Sequence, residues 1–128
     1  MSSTHKKNPS VLVVEDEAIL RGLLLTTLRM DGLIVHEAEN GREGLDTALE
    51  LHPQLILLDV IMPGMNGMDM LKELRRDEWG QSASVVLLTN LGETESIENA
   101  RKFGVENYLV KSDWSLDELS LKIKELLK

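Results

Sequence analysis

The stretch Leu55-Ile56-Leu57-Leu58-Asp59-Val60-Ile61-Met62-Pro63-Gly64 decides how the rest of this chain is read. Four large apolar residues in a row, with Pro53 before them and Pro63-Gly64 after, are too short for a helix and describe a strand buried on both faces. That strand ends in a carboxylate. Burying an unpaired carboxylate is costly, so Asp59 demands a cation or a positive side chain nearby. Three other apolar runs also end in polar residues: Val11-Leu12-Val13-Val14 in Glu15-Asp16, Val85-Val86-Leu87-Leu88 in Thr89, and Tyr108-Leu109-Val110 in Lys111. Carboxylates, a hydroxyl and an ammonium are thus all delivered to strand ends.

Between these runs lie segments of helical period. Glu17 to Met30 places Ile19, Leu20, Leu23, Leu24 and Leu28 on one face, and Gly32 supplies a stop. Leu33 to Glu37 reads as a short strand. Asn40-Gly41-Arg42-Glu43 matches a capped helix start, and Pro53 ends that helix. A third helix is predicted over Gly67 to Arg76 with Met68, Leu71 and Leu74 inward, and a fourth from Thr94 to a left-handed stop at Gly104. The fifth opens on the capping-box pattern Ser115-Leu116-Asp117-Glu118 and runs to the end. Strands alternating with helices in this way imply a mostly parallel sheet covered on both faces. Ligands in such folds bind beyond the carboxyl ends of the strands, which makes the polar strand ends neighbours.

The bulk composition narrows the function. With 128 residues, 42% hydrophobic and 28% charged, the chain suits one ordinary soluble domain, residues 10–128, after a disordered leader, residues 1–9. A formal charge of −8 with no basic cluster beyond Lys6-Lys7 argues against direct nucleic-acid binding. There is no cysteine, no signal-peptide pattern and no stretch of membrane-spanning length, so a cytoplasmic location is expected.

Glu15, Asp16 and Asp59 gathered at one edge would repel each other unless a cation joined them. Mg²⁺ fits: it takes oxygen ligands, keeps several waters, and needs only two direct carboxylates and a backbone carbonyl from the protein. Lys111 and Thr89 would complete a phosphate site with a positive charge and a hydroxyl donor. Carboxylates act as nucleophiles toward phosphorus. No Cys exists, and none of His5, His36 and His52 ends an apolar strand at this edge, so Ser/His or Cys/His catalysis is poorly supported. The fitting chemistry is phosphoryl transfer onto Asp59.

Val13-Val14-Glu15-Asp16-Glu17, Leu58-Asp59-Val60-Ile61-Met62-Pro63-Gly64 with Asn66-Gly67, Leu88-Thr89, Gly104, and Tyr108-Leu109-Val110-Lys111 occur in that order. Through them the chain, from Val11 to Lys128, resembles the response-regulator receiver family of two-component signalling, in its stand-alone, chemotaxis-receiver-like form. The resemblance implies a doubly wound, flavodoxin-like α/β fold: five parallel strands in the order 2-1-3-4-5 and five helices. It implies that Asp59 is the phosphoacceptor, that Asp16 and Asp59 hold Mg²⁺ directly with the Ile61 backbone carbonyl, and that Glu15 acts through a metal-bound water. Lys111 would pair with Asp59 before transfer and with the phosphoryl group afterwards. Thr89 would turn toward that group while Tyr108 reorients inward, reshaping the face of the fourth helix, fifth strand and fifth helix. The implied partners are a sensor histidine kinase or phosphotransfer protein as donor and a downstream protein as target, without nucleic acid or membrane. The chain would be a signalling phosphoacceptor rather than an enzyme, with weak self-dephosphorylation and use of small phosphodonors.

Two departures from the family pattern stand out. Ser112 follows Lys111 where relatives have a cis-linked Pro, so the Lys111-Ser112 bond is expected either trans with a rearranged loop, or cis and strained. Asn90 follows Thr89 where a small residue is usual. Ile61 and Leu91 make the rim apolar, from which slow water attack on the phosphoryl group is expected. A degenerate receiver that only binds proteins is the competing reading; Ser112 and Asn90 favour it, and the intact acidic set with Lys111 opposes it. A haloacid-dehalogenase-type phosphohydrolase is disfavoured because Ile61 stands where those enzymes carry a second Asp, and there is no cap domain. A flavin or nucleotide site lacks its Gly-rich loop after the first strand.

Overall fold

The computed structural model describes residues 10–62, 64–90 and 92–127. Five strands alternate with five helices: β1 (Ser10–Val14), α1 (Ala18–Met30), β2 (Ile34–Ala38), α2 (Gly41–Leu51), β3 (Leu55–Asp59), α3 (Gly67–Arg76), β4 (Val85–Thr89), α4 (Thr94–Arg101), β5 (Asn107–Val110) and α5 (Leu116–Leu126). Single 3-10 turns, Gly80–Ser82 and Lys111–Asp113, precede β4 and α5. All neighbouring strands run parallel, in the order β2-β1-β3-β4-β5, as the resemblance implied.

Side-chain alternation along the strands divides the core in two. Leu12, Val14, Ile56, Leu58, Val85 and Leu87 face one side, where α2 and α3 contribute Leu45, Ala48, Met70, Leu71 and Leu74, and α4 contributes Ala100. Val11, Val13, Leu55, Leu57, Val86 and Leu88 face the other, against Leu24, Leu25 and Leu28 of α1 and Leu119 and Ile123 of α5. Central strands buried on both faces need unbroken apolar runs, and β3 and β4 are buried at every position. The outer strands β2 and β5 carry exposed positions instead. Trp79 borders the first cluster, its ring stacked on His52 at 4.2 Å and 7°, and Trp114 borders the second.

Local signals set the element ends. The Asn40 and Asn66 side chains accept from the backbone N–H groups of Glu43 and Asp69. Ser115 and Glu118 form a reciprocal capping box at α5. After α4, Gly104 at φ 82° lets the Val105 N–H reach back to the Ala100 carbonyl, closing the helix at a conformation a side chain resists. The leader expected at residues 1–9 lies outside the described residues.

Several expectations need correction. On α1, Ile19 is 81% and Leu23 47% exposed, whereas Leu25, absent from the expected face, is buried with Leu24 and Leu28. The helix therefore turns a different stripe to the sheet than the first apolar spacing suggested. On α3, Met70 is buried outright and Met68 only in part. The second strand begins one residue later than expected, with Leu33 packing beneath α1 before the strand starts.

Candidate functional site

In a parallel sheet of this order, β1 pairs on one side with β2 and on the other with β3, so the chain reverses direction of travel across the sheet there. Residues leaving the carboxyl ends of β1 and β3 meet in the resulting crevice. Glu15 and Asp16 follow β1, and Asp59 closes β3. One carboxylate oxygen from each lies within 4.8 Å of the others. Glu15 is fully buried and Asp59 is 3% exposed, while Asp16 lies at the surface.

Lys111, the residue after β5, brings its ammonium into this cluster. Its Nζ lies 3.0 Å from Glu15 Oε1, 3.5 Å from Asp59 Oδ1 and 3.7 Å from Glu17 Oε1. The expected pairing with Asp59 is thus present, with Glu15 nearer still and Glu17 added. No cis peptide occurs among the described residues, so Lys111-Ser112 is trans, and the 3-10 turn Lys111–Asp113 is the rearranged loop. Glu15 Oε2 accepts from the Glu17 N–H at 2.9 Å, which folds the start of α1 over the cluster.

One ammonium does not balance these carboxylates. Burial raises the pKa of Asp59 to about 7, the negative charge of Glu15 adds to the rise, and Lys111 opposes it. Burial works against the charge of Lys111 as well, but the contact with Glu15 and the charges of Asp59, Glu15 and Glu17 outweigh it and hold the ammonium above its usual value. Glu15 Oε1 makes no directed hydrogen bond among the described residues; its contact with Lys111 is one of charge. A crowded, under-neutralised set of hard oxygens is the donor set that suits a divalent cation such as Mg²⁺.

The remaining expected residues take their places around this edge. Thr89 ends β4 one position beyond the Asp59–Leu88 register pair, and its buried Oγ1 finds no hydrogen-bond partner among the described residues. Tyr108 on β5 is 41% exposed, so its ring is turned outward. Ile61 is 55% exposed, and Asn90 is exposed as well. Leu91 lies outside the described residues. A cleft of about 520 Å³ lined by Asp16, Glu39, Asn40, Arg42, Gly64 and Met65 opens beside the cluster. Gly67 sits where the turn after β3 returns: a Cβ there would stand 2.3 Å from the Asp59 carbonyl oxygen, so only glycine allows α3 to start this close.

Arg21 was not among the expected residues. It lies on the inward stripe of α1 with Leu24, Leu25 and Leu28, and a charged residue at that phase was the available signal. Glu17 entered the motif but was given no role of its own; its carboxylate, just before α1, lies 3.7 Å from Lys111 Nζ.

A fold of this order with an acidic cluster at its switch point defines the class of receiver domains. Residues 11–124 match the response regulator receiver domain, and the chain belongs to that family. It is 36% identical over 118 residues to the regulatory protein AtoC of Escherichia coli, covering 92% of this chain and 25% of AtoC. It is likewise 36% identical to the transcriptional regulatory protein ResD of Bacillus subtilis, covering 92% of this chain and 48% of ResD. The chain therefore spans a quarter to about half of these relatives. Among solved structures it is similar to chemotaxis protein CheY4 of Vibrio cholerae, with a TM-score of 0.86 at 28% identity over 95% of this chain and 100% of that one. No described helix is long and apolar enough to cross a membrane.

Proposed function

We propose that the protein accepts a phosphoryl group on Asp59 from a phosphohistidine of a sensor kinase or phosphotransfer protein, and that this switches a protein-binding face. The observation that carries the reading is the buried Asp59 carboxylate, 3.5 Å from Lys111 Nζ within a cluster of three carboxylates. An Asp59 oxygen forms the new P–O bond while the donor P–N bond breaks and its electron pair leaves on the imidazole. Lys111 neutralises charge on the transferring group, and the idle Thr89 hydroxyl offers it a hydrogen bond. Asp16, Asp59, Glu15 and the Ile61 carbonyl would hold Mg²⁺, which screens the carboxylates from one another and from the incoming phosphoryl oxygens.

Thr89 and Tyr108 are the proposed switch: Thr89 moves to the phosphoryl group, and the outward Tyr108 ring follows into the space released. The reading makes the protein a phosphoacceptor in signalling, cytoplasmic, with a protein target; the relatives' regulatory activities are not carried over with it. Intact-mass spectrometry after incubation with acetyl phosphate, with and without Mg²⁺, tests it. A Mg²⁺-dependent gain of one phosphoryl group that maps to Asp59 and disappears in Asp59→Asn is expected. No adduct, alongside Mg²⁺ or beryllofluoride binding that is also absent, would reject phosphoacceptance and leave the protein-binding module.

A further inference from the structure

We propose that Arg21 is a positioning residue for the acidic cluster: its guanidinium clamps the turn after β1 from outside, so that the carboxylates of Glu15 and Asp16 face the cation site. This inference rests on the metal-assisted reading above. From α1 the side chain runs back across the turn. Its Nη1 donates to the Glu15 carbonyl at 2.7 Å and, at 3.4 Å, to that of Asp16. Its Nε donates to Glu37 Oε1 at 3.0 Å, and Nη2 lies 3.9 Å from Glu39 Oε2, at and just beyond the end of β2. The side chain is only 13% exposed.

Each contact restrains a different degree of freedom. A peptide whose carbonyl is fixed cannot rotate without breaking that bond, so holding the Glu15 carbonyl limits rotation of the residues on either side. The Glu15 carboxylate is held separately by the Glu17 N–H, and its own N–H is bonded to the Ala38 carbonyl. The turn is thereby tied to β2 by backbone and, through Arg21, by side chain. A planar fork with several donors can serve a carbonyl and a carboxylate together, whereas an ammonium on a flexible stem holds one direction poorly.

The charges separate this role from a second one. Arg21 is a cation close to a cluster of carboxylates, and as a mere counter-ion it would compete with a bound metal. Removing it would then tighten Mg²⁺ binding. As a clamp, its charge is matched on the far side by Glu37 and Glu39, and removing it loosens the ligands and weakens binding. The two roles predict opposite signs.

The test is Mg²⁺ titration by isothermal calorimetry of the wild type, Arg21→Gln and Arg21→Lys, beside melting temperatures in chelator. Outer groups that orient metal ligands typically contribute about tenfold or more in affinity, so about a tenfold weaker Kd is expected for Arg21→Gln. Arg21→Lys, which keeps the charge and the packing of the stem, should fall between the two. It also carries the comparison alone if the Gln variant does not fold. A purely structural role would lower the melting temperature in chelator and leave the affinity of the folded protein unchanged. Unchanged or tighter binding in the folded variants overturns the clamp while leaving the phosphoacceptor reading intact. A wild type that binds no Mg²⁺ overturns the metal-assisted reading and the clamp with it.

Discussion

In an Asp59→Asn variant the side chain keeps its shape and loses its charge, and the burden of that charge becomes measurable. The folded protein raises the Asp59 pKa from 3.8 to about 7, chiefly through burial and then through the charge of Glu15. Between roughly pH 4 and 7 the native state therefore holds a proton that the unfolded chain has released. Stability contributed by this proton is fully present below the unfolded value and is lost as pH rises through the folded one. A shift of that size corresponds to about 4 kcal/mol. The pocket opens to solvent beside the exposed Asp16, and screening there reduces the expected effect to about 2 kcal/mol. Lys111 keeps Glu15 and Glu17 as partners, so the substitution does not strand its ammonium. Asp59→Asn should melt close to wild type near pH 4 and roughly 5–10 °C higher at pH 8 in chelator. Saturating Mg²⁺ should raise the wild-type melting temperature at pH 8 and close most of that gap. Thermal denaturation followed by circular dichroism at both pH values decides the matter. A difference that does not change with pH, or a variant less stable at pH 8, would refute the claim that Asp59 sits in an under-neutralised site.

Ser115→Ala removes one half of the capping box and should lower stability by about 1 kcal/mol, read from the urea midpoint at constant slope. Gly67→Ala places a Cβ against the Asp59 carbonyl and should cost about 2 kcal/mol or more; a variant as stable as wild type would mean that α3 can retreat freely. Ile61→Asn replaces the apolar rim with a group that can orient water, and should shorten the lifetime of the phosphoryl group severalfold. The decay of the phosphorylated mass after donor removal measures this, and an unchanged rate would remove the rim from the account.

The sheet was legible because its central strands are buried on both faces. β1, β3 and β4 had to be unbroken apolar runs, and a polar residue ending such a run has few explanations other than a site. Asp59, Glu15, Asp16 and Thr89 follow from that rule, whereas Lys111 ends the partly exposed edge strand β5 and was found through its place in the motif. The α1 face was less legible because that helix carries two apolar stripes. Ile19, Leu23 and Met30 lie on the exposed one, and periodicity alone does not say which stripe meets the sheet. Position β2 suffers from its place at the edge, where Ile34 is exposed and the strand boundary leaves little trace. Arg21 was hidden for a different reason: half of its partners are backbone carbonyls, which every residue possesses.

The two tryptophans fall on opposite sides of the sheet, Trp79 with the α2–α3–α4 side and Trp114 with the α1–α5 side. Each core half therefore has its own optical probe at its border, and Trp79→Phe or Trp114→Phe leaves the other as the sole tryptophan. Matching denaturation curves from the two single-tryptophan proteins would mean that the shared strands bind the halves into one cooperative unit. Trp114 caps the Lys111–Asp113 turn, which makes it the nearer witness to events at that turn.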